Sequence, residues 1–156
     1  MSNQDVATPR EFIKAVEARF GKIAFDLAAS KDNAVVPRFY GPGSIWAPSA
    51  LDPWATWAQH LQDADGSTRA GILWLNPPFA RITPWVEKCA TERRLGARIA
   101  LLAPASVCTD WFIEHVRDQA YVFELTPRVF KTEIRDCILA LYTPEGYVGR
   151  ETWKWR

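Results

Sequence analysis

Two rhythms of apolar residues divide the chain. Phe12, Val16 and Phe20 recur at four-residue spacing, behind Thr8 as N-cap, Pro9 at the first helical position and Glu11 completing a capping box, with Gly21 as the stop. That pattern predicts a helix. Ile23, Phe25 and Leu27 then alternate over 22–29, which reads as a short buried strand, although Asp26 sits within it. Further strands are predicted over 71–75, 97–103, 120–125 and 137–142. Between them, Thr83-Pro84 opens a helix that runs to Gly96 with Trp85, Cys89, Ala90 and Arg93 at helical spacing, and 109–119 carries Trp111, Phe112 and Val116 on another. From 32 to 65 the periodicity dissolves into Gly41-Pro42-Gly43, Ala47-Pro48 and Asp52-Pro53, with room for one short helix over 54–61. Strands alternating with helices predict an α/β domain with a mainly parallel sheet covered by helices.

Composition sharpens this picture in three ways. With 156 residues and 48% apolar side chains, a single compact domain spanning 1–156 is expected. The formal net charge of +1 supplies no global basic field, so any nucleic-acid surface must be local. Cys89, Cys108 and Cys137 are odd in number and lack C-x-x-C spacing, so neither a metal site nor a disulfide framework is expected. No apolar run approaches the roughly 20 residues that span a bilayer, and a cytoplasmic protein is expected. Eight tryptophans are unusual for this length; most of them are expected in the core, although such rings also stack on bases.

Candidate chemistry gathers where predicted strands end. In an open parallel sheet ligands bind beyond the carboxyl ends of the strands. Residues 26–30, 76–79 and 104–106 all follow strands in this way. The sequence Asn76-Pro77-Pro78-Phe79 suits an aromatic amine as acceptor. An amino nitrogen conjugated to a ring is planar and weakly nucleophilic. Accepting its two N–H bonds through Asn76 Oδ1 and the Pro77 carbonyl would raise its electron density and favour attack on a methyl sulfonium. Paired prolines fix the backbone that presents those acceptors. Phe79 would give an extruded base a stacking face. The plainer reading is that Asn-Pro-Pro merely ends a strand.

The chain resembles the phage-type DNA N6-adenine methyltransferases, a Dam-like family, from near its start to at least Trp111. The resemblance is carried by Thr8-Pro9, Phe20-Gly21, Asp26-x-Ala28-Ala29, Asn33-Ala34, Arg38-Phe39-Tyr40, and Ala50-Leu51 with Trp54. It continues through Trp74 to Phe79, Ile82 to Lys88, Leu102-x-Pro104-Ala105 and Trp111-Phe112. It implies a Rossmann-like methyltransferase fold, S-adenosyl-L-methionine as donor and adenine in DNA as acceptor, in a bacterial host cell. Asp26 would then hold the methionine moiety of the cofactor, with Thr8, Pro9, Ala28 and Asn33 beside it. Each has an ordinary alternative: a turn-capping carboxylate, an N-cap pair, a turn former.

This sequence departs from the common pattern in three places. Asp26-Leu27-Ala28-Ala29-Ser30 stands where most methyltransferases carry a glycine-rich loop, the acceptor motif ends in Phe79 rather than tyrosine, and the part after Val129 is short. Candidate DNA contacts are Arg81, Arg128, Lys131 and Arg135, which read equally as solvated charges. Two other classes share the motif or fold: a methyltransferase acting on RNA or on a protein amide, and a catalytically silent nucleic-acid-binding relative.

Overall fold

The computed structural model describes residues 7–68, 70–132 and 135–156. Its elements in chain order are α1 (Arg10–Phe20), β1 (Ile23–Asp26), β2 (Ile72–Leu75), α2 (Thr83–Arg94), β3 (Ile99–Pro104), α3 (Asp110–His115), β4 (Tyr121–Thr126), β5 (Cys137–Tyr142) and β6 (Gly149–Lys154). Single 3-10 turns occupy Ala58–Leu61 and Phe79–Arg81. The strands form one six-stranded sheet in the order β1-β2-β3-β5-β4-β6.

The sheet is mixed: five of its six strands run the same way and β5 is reversed. β1 with β2, β2 with β3, and β4 with β6 are parallel, but β5 runs antiparallel to both β3 and β4. The cause is the short link 127–136, since a parallel return needs a crossover of a dozen residues or more. β5 therefore turns straight back beside β4 and fills the place between β4 and β3.

Strand alternation sorts the core onto the two faces. Leu73, Leu75, Leu101 and Ala103 pack under α2 and α3, while Ile72, Trp74, Ala100, Leu102 and Leu139 pack with Phe12 and Val16 of α1. The α1 face is completed by Phe123, Phe130, Trp153 and Trp155. Five of the eight tryptophans are buried, whereas Trp46 and Trp54 are exposed. Strand β6 has no counterpart among the predicted elements. Its sequence Gly149–Lys154 buries only Trp153, so no alternation announces it.

Two helix ends also differ from expectation. Pro9, not Thr8, occupies the N-cap position of α1, and no side chain caps it. Glu11 makes no capping box; it pairs with Arg156 at 2.9 Å. The third helix is one and a half turns, because the amides of Val116 and Arg117 both converge on the Phe112 carbonyl and close it early.

The connector between β1 and β2 is irregular yet pinned at both ends. Gly41, at φ +147°, lies so close to the Ala29 carbonyl that a Cβ there would fall 1.6 Å from the oxygen. Farther on, Glu92 of α2, only 4% exposed, accepts the amides of Trp57 and Ala58 at 3.1 and 3.4 Å. Lys88, one turn earlier, donates to the carbonyls of Ala50, Asp52 and Ala55. Just beyond the Glu92 anchor, His60 stacks on Phe25 at 3.7 Å and bonds the Tyr40 hydroxyl at 2.6 Å.

Candidate active site

β1, β2 and β3 are parallel neighbours, so Asp26, Leu75 and Pro104 finish at one edge of the sheet. Pro104 is also the register partner of Cys137, which starts β5, so the link 127–136 meets the same edge. The three predicted strand ends thus share one rim.

Alternation continues past β2 and decides where Asn76 points. Ile72 and Trp74 face α1, and Asn76 follows them in phase. Its Nδ2 donates to Thr8 Oγ1 at 3.2 Å, just ahead of α1. Thr8 is therefore not a helix cap but a partner of the motif. Asn76 is 8% exposed, and its Oδ1, buried, has no hydrogen-bond partner among the described residues. A buried amide oxygen left without a donor costs about 1–3 kcal/mol. Such a cost is retained where a ligand can supply the missing donor.

Phe79 begins the 3-10 turn after the prolines and is 9% exposed in the aromatic cluster beneath α1. In this state its ring is packed in the core. Arg81 closes the same turn and is exposed.

Asp26 is the register partner of Trp74, which places its side chain on the α1 face as well. Its carboxylate works inside the chain: Oδ1 accepts the Ala28 amide at 3.2 Å and Oδ2 the Val35 amide at 3.0 Å. These bonds curl 27–35 into a loop. Burial is the largest influence on this carboxyl and raises its pKa from 3.8 to about 7, against the two amides, which act to lower it. The Asn33 side chain accepts the Ser30 amide at 2.7 Å and steadies the same loop.

The loop forms one wall of a cavity of about 360 Å³, whose other wall is the start of α1. Thr8 and Asn33 line it, as do Arg10, Lys14, Lys22 and Asp32. Charges of both signs meet there, although the sequence alone did not single out these four residues. Their spread over three separate segments explains why: no local pattern joins 10, 22 and 32. On the other side of residues 7–9, Pro9 and Glu11 face Val129, Phe130, Lys131 and Thr132 across a second cavity of about 280 Å³.

Of the four candidate DNA contacts, Lys131 borders this second cavity, and Lys131 and Arg135 are exposed on the link 127–136. Arg128 pairs with Asp136 at 2.7 Å across the base of that link. All four lie on segments that meet the rim.

Lys88 and Glu92 hold the connector over 50–58, a role the sequence does not assign to them. Glu92 sits seven residues after Trp85 and three after Cys89, on the apolar stripe of α2, and an acid at such a position was the available signal.

The chain is 32% identical over 116 residues to a DNA N-6-adenine-methyltransferase of Escherichia phage T1. That match covers 74% of this chain but 42% of the relative, so the chain spans less than half the length of the protein it matches. The profile of the family described as DNA N-6-adenine-methyltransferase (Dam) covers residues 2–130, and the motif, its Thr8 partner and the Asp26 loop all fall inside that match. The chain belongs to the DNA N-6-adenine-methyltransferase (Dam) family.

Proposed function

We propose that this chain transfers a methyl group from S-adenosylmethionine to the exocyclic N6 of adenine in DNA, on a Rossmann-like scaffold modified by the reversed β5. The observation that carries this reading is the buried, unpartnered Oδ1 of Asn76. Thr8 holds the amide through Nδ2 and so turns Oδ1 toward whatever enters the rim. An amino group of adenine offers two N–H donors. Asn76 Oδ1 accepts one and the Pro77 carbonyl the other, drawing the nitrogen toward the tetrahedral, nucleophilic geometry. Positioning supplies the catalysis, and no covalent bond to the chain forms.

The residues present fit the cofactor. Thr8 and Asn33 line the 360 Å³ cavity with Arg10, Lys14, Lys22 and Asp32, a donor set suited to a zwitterionic amino-acid tail, while Ala28 belongs to the Asp26 loop that walls it and Pro9 faces the second cavity. When bound, S-adenosylmethionine supplies an electrophilic methyl group on its sulfonium. Asp26 keeps the wall in shape through the Ala28 and Val35 amides, and its ionised form adds attraction for the methionine ammonium. Phe79 packs in the α1 cluster behind the motif, and Arg81, Arg128, Lys131 and Arg135 face phosphates.

The test is methyl transfer from labelled S-adenosylmethionine to duplex DNA, followed by nucleoside analysis. Label in N6-methyladenine supports the reading. Label confined to RNA or to protein amide, or no label with bound cofactor, overturns it.

A further inference from the structure

Both walls of the 280 Å³ cavity are held by the same two residues, and these lie beyond the family match at residue 130. Trp155 Nε1 donates to the Pro127 carbonyl at 2.6 Å, at the root of the wall that carries Val129 to Thr132. The Trp155 amide also bonds the Thr126 carbonyl at 3.1 Å. On the opposite side its ring meets Phe12 edge-on at 5.1 Å, and Phe12 in turn meets Trp74, two residues before Asn76. Arg156 lies over the Trp155 ring at 5.1 Å and pairs with Glu11, which lines the facing wall. Two consecutive side chains therefore tie the link 127–136 to the start of α1.

We propose that Trp155, assisted by Arg156, is a positioning residue that sets the separation between these walls and so the fit of DNA at the rim beside Asn76. The inference rests on the methyltransferase reading above and adds a role for β6. Trp155 is 8% exposed and touches no reacting atom. It acts through Pro127, whose carbonyl accepts the indole N–H, and through Phe12. Lys131 is on the wall being held, so loosening Pro127 moves a cation that faces DNA. The cavity bordered by Thr8 and Asn33 is built by Asp26 and α1 and does not involve Trp155.

Trp155→Phe separates positioning from packing, because the phenyl ring keeps the contact with Phe12 and deletes only the donor to Pro127. The expected result is a DNA KM raised about fivefold, the size expected of one lost hydrogen bond, with kcat per folded molecule and S-adenosylmethionine affinity nearly unchanged and Tm lowered by the unpaired Pro127 carbonyl. Arg156→Ala should raise the same KM less, since an exposed ion pair contributes little. An unchanged KM in Trp155→Phe, or a kcat that falls in step with Tm at constant KM, overturns the proposal and leaves a structural tryptophan. Should the native protein transfer no methyl group to DNA, the methyltransferase reading fails separately. Fluorescence anisotropy on a labelled random-sequence duplex then decides: weaker binding by Trp155→Phe supports the staple, equal binding removes it.

Discussion

The anchored connector and the rim handle buried polar groups in opposite ways. Where the connector meets α2, Glu92 takes two amides, Lys88 gives to three carbonyls and His60 is bonded to Tyr40. At the rim, Asn76 is half satisfied: Nδ2 is used and Oδ1 is not. A satisfied network offsets the desolvation of its charges and fixes a shape. An unsatisfied acceptor is a standing cost that an incoming donor relieves. Arg93 Nε on α2 is also buried without a partner among the described residues, so the contrast marks the rim only where the unpaired atom lies at a strand end, and it can be broken by substitution.

The largest expected effect lies between the two regions. Phe79→Ala removes a buried ring from the α1 cluster and should lower unfolding free energy by about 3–5 kcal/mol, as measured by denaturant titration. A loss under about 1 kcal/mol, with DNA affinity reduced, would instead identify the ring as a platform for the base. Asn76→Ala should lower turnover about 10²-fold while leaving Tm unchanged or slightly higher, because the uncompensated oxygen leaves with the side chain. A fall in Tm with full turnover would move Asn76 into the scaffold. Glu92→Ala should do the reverse: about 2 kcal/mol of stability lost as two amides go unpaired, with turnover per folded molecule retained.

The smallest effect is expected in the pH profile of the native chain, where two opposed titrations cancel. Asp26 has a folded pKa raised by burial to about 7, so its contribution is complete below pH 3.8 and is lost as pH rises toward 7. Burial, with the nearby Arg38 charge, lowers the His60 pKa from 6.5 to about 4, so its contribution is complete above 6.5 and is lost as pH falls toward 4. The two slopes oppose each other between about pH 4 and 6.5, and the pair alone gives a nearly flat profile there. Asp26→Asn should unmask the histidine, giving stability that climbs with pH over this window. A profile as flat as that of the native chain would mean that Asp26 does not titrate as its burial requires.

Much of the arrangement was legible in the sequence where one segment carries its own signal. β5 at Cys137–Tyr142 is an unbroken apolar run and was read at its true bounds, and the motif was placed at a strand end because Ile72–Leu75 leads straight into it. What failed was pairwise. Thr8 looks like an N-cap because Pro9 and Glu11 follow it, yet its hydroxyl is used 68 residues away by Asn76. The reversal of β5 depends on the length of a link, and β6 on a partner strand that hides a weakly apolar sequence. The charges around the 360 Å³ cavity meet only after folding, so no spacing could have grouped them.

The connector stands on two fixed feet, and most of the stretch between them is held as well. Gly41 abuts the Ala29 carbonyl, Trp57 with Ala58 hangs from Glu92, Lys88 holds the carbonyls of Ala50, Asp52 and Ala55, and Ala47, Ala50 and Ala55 are buried. Ile45, 93% exposed, is an open tip. Lengthening the chain there costs little, since loop closure grows only with the logarithm of length. Ile45 is therefore a point where an insertion leaves the anchors in place, whereas replacing the whole stretch would remove them.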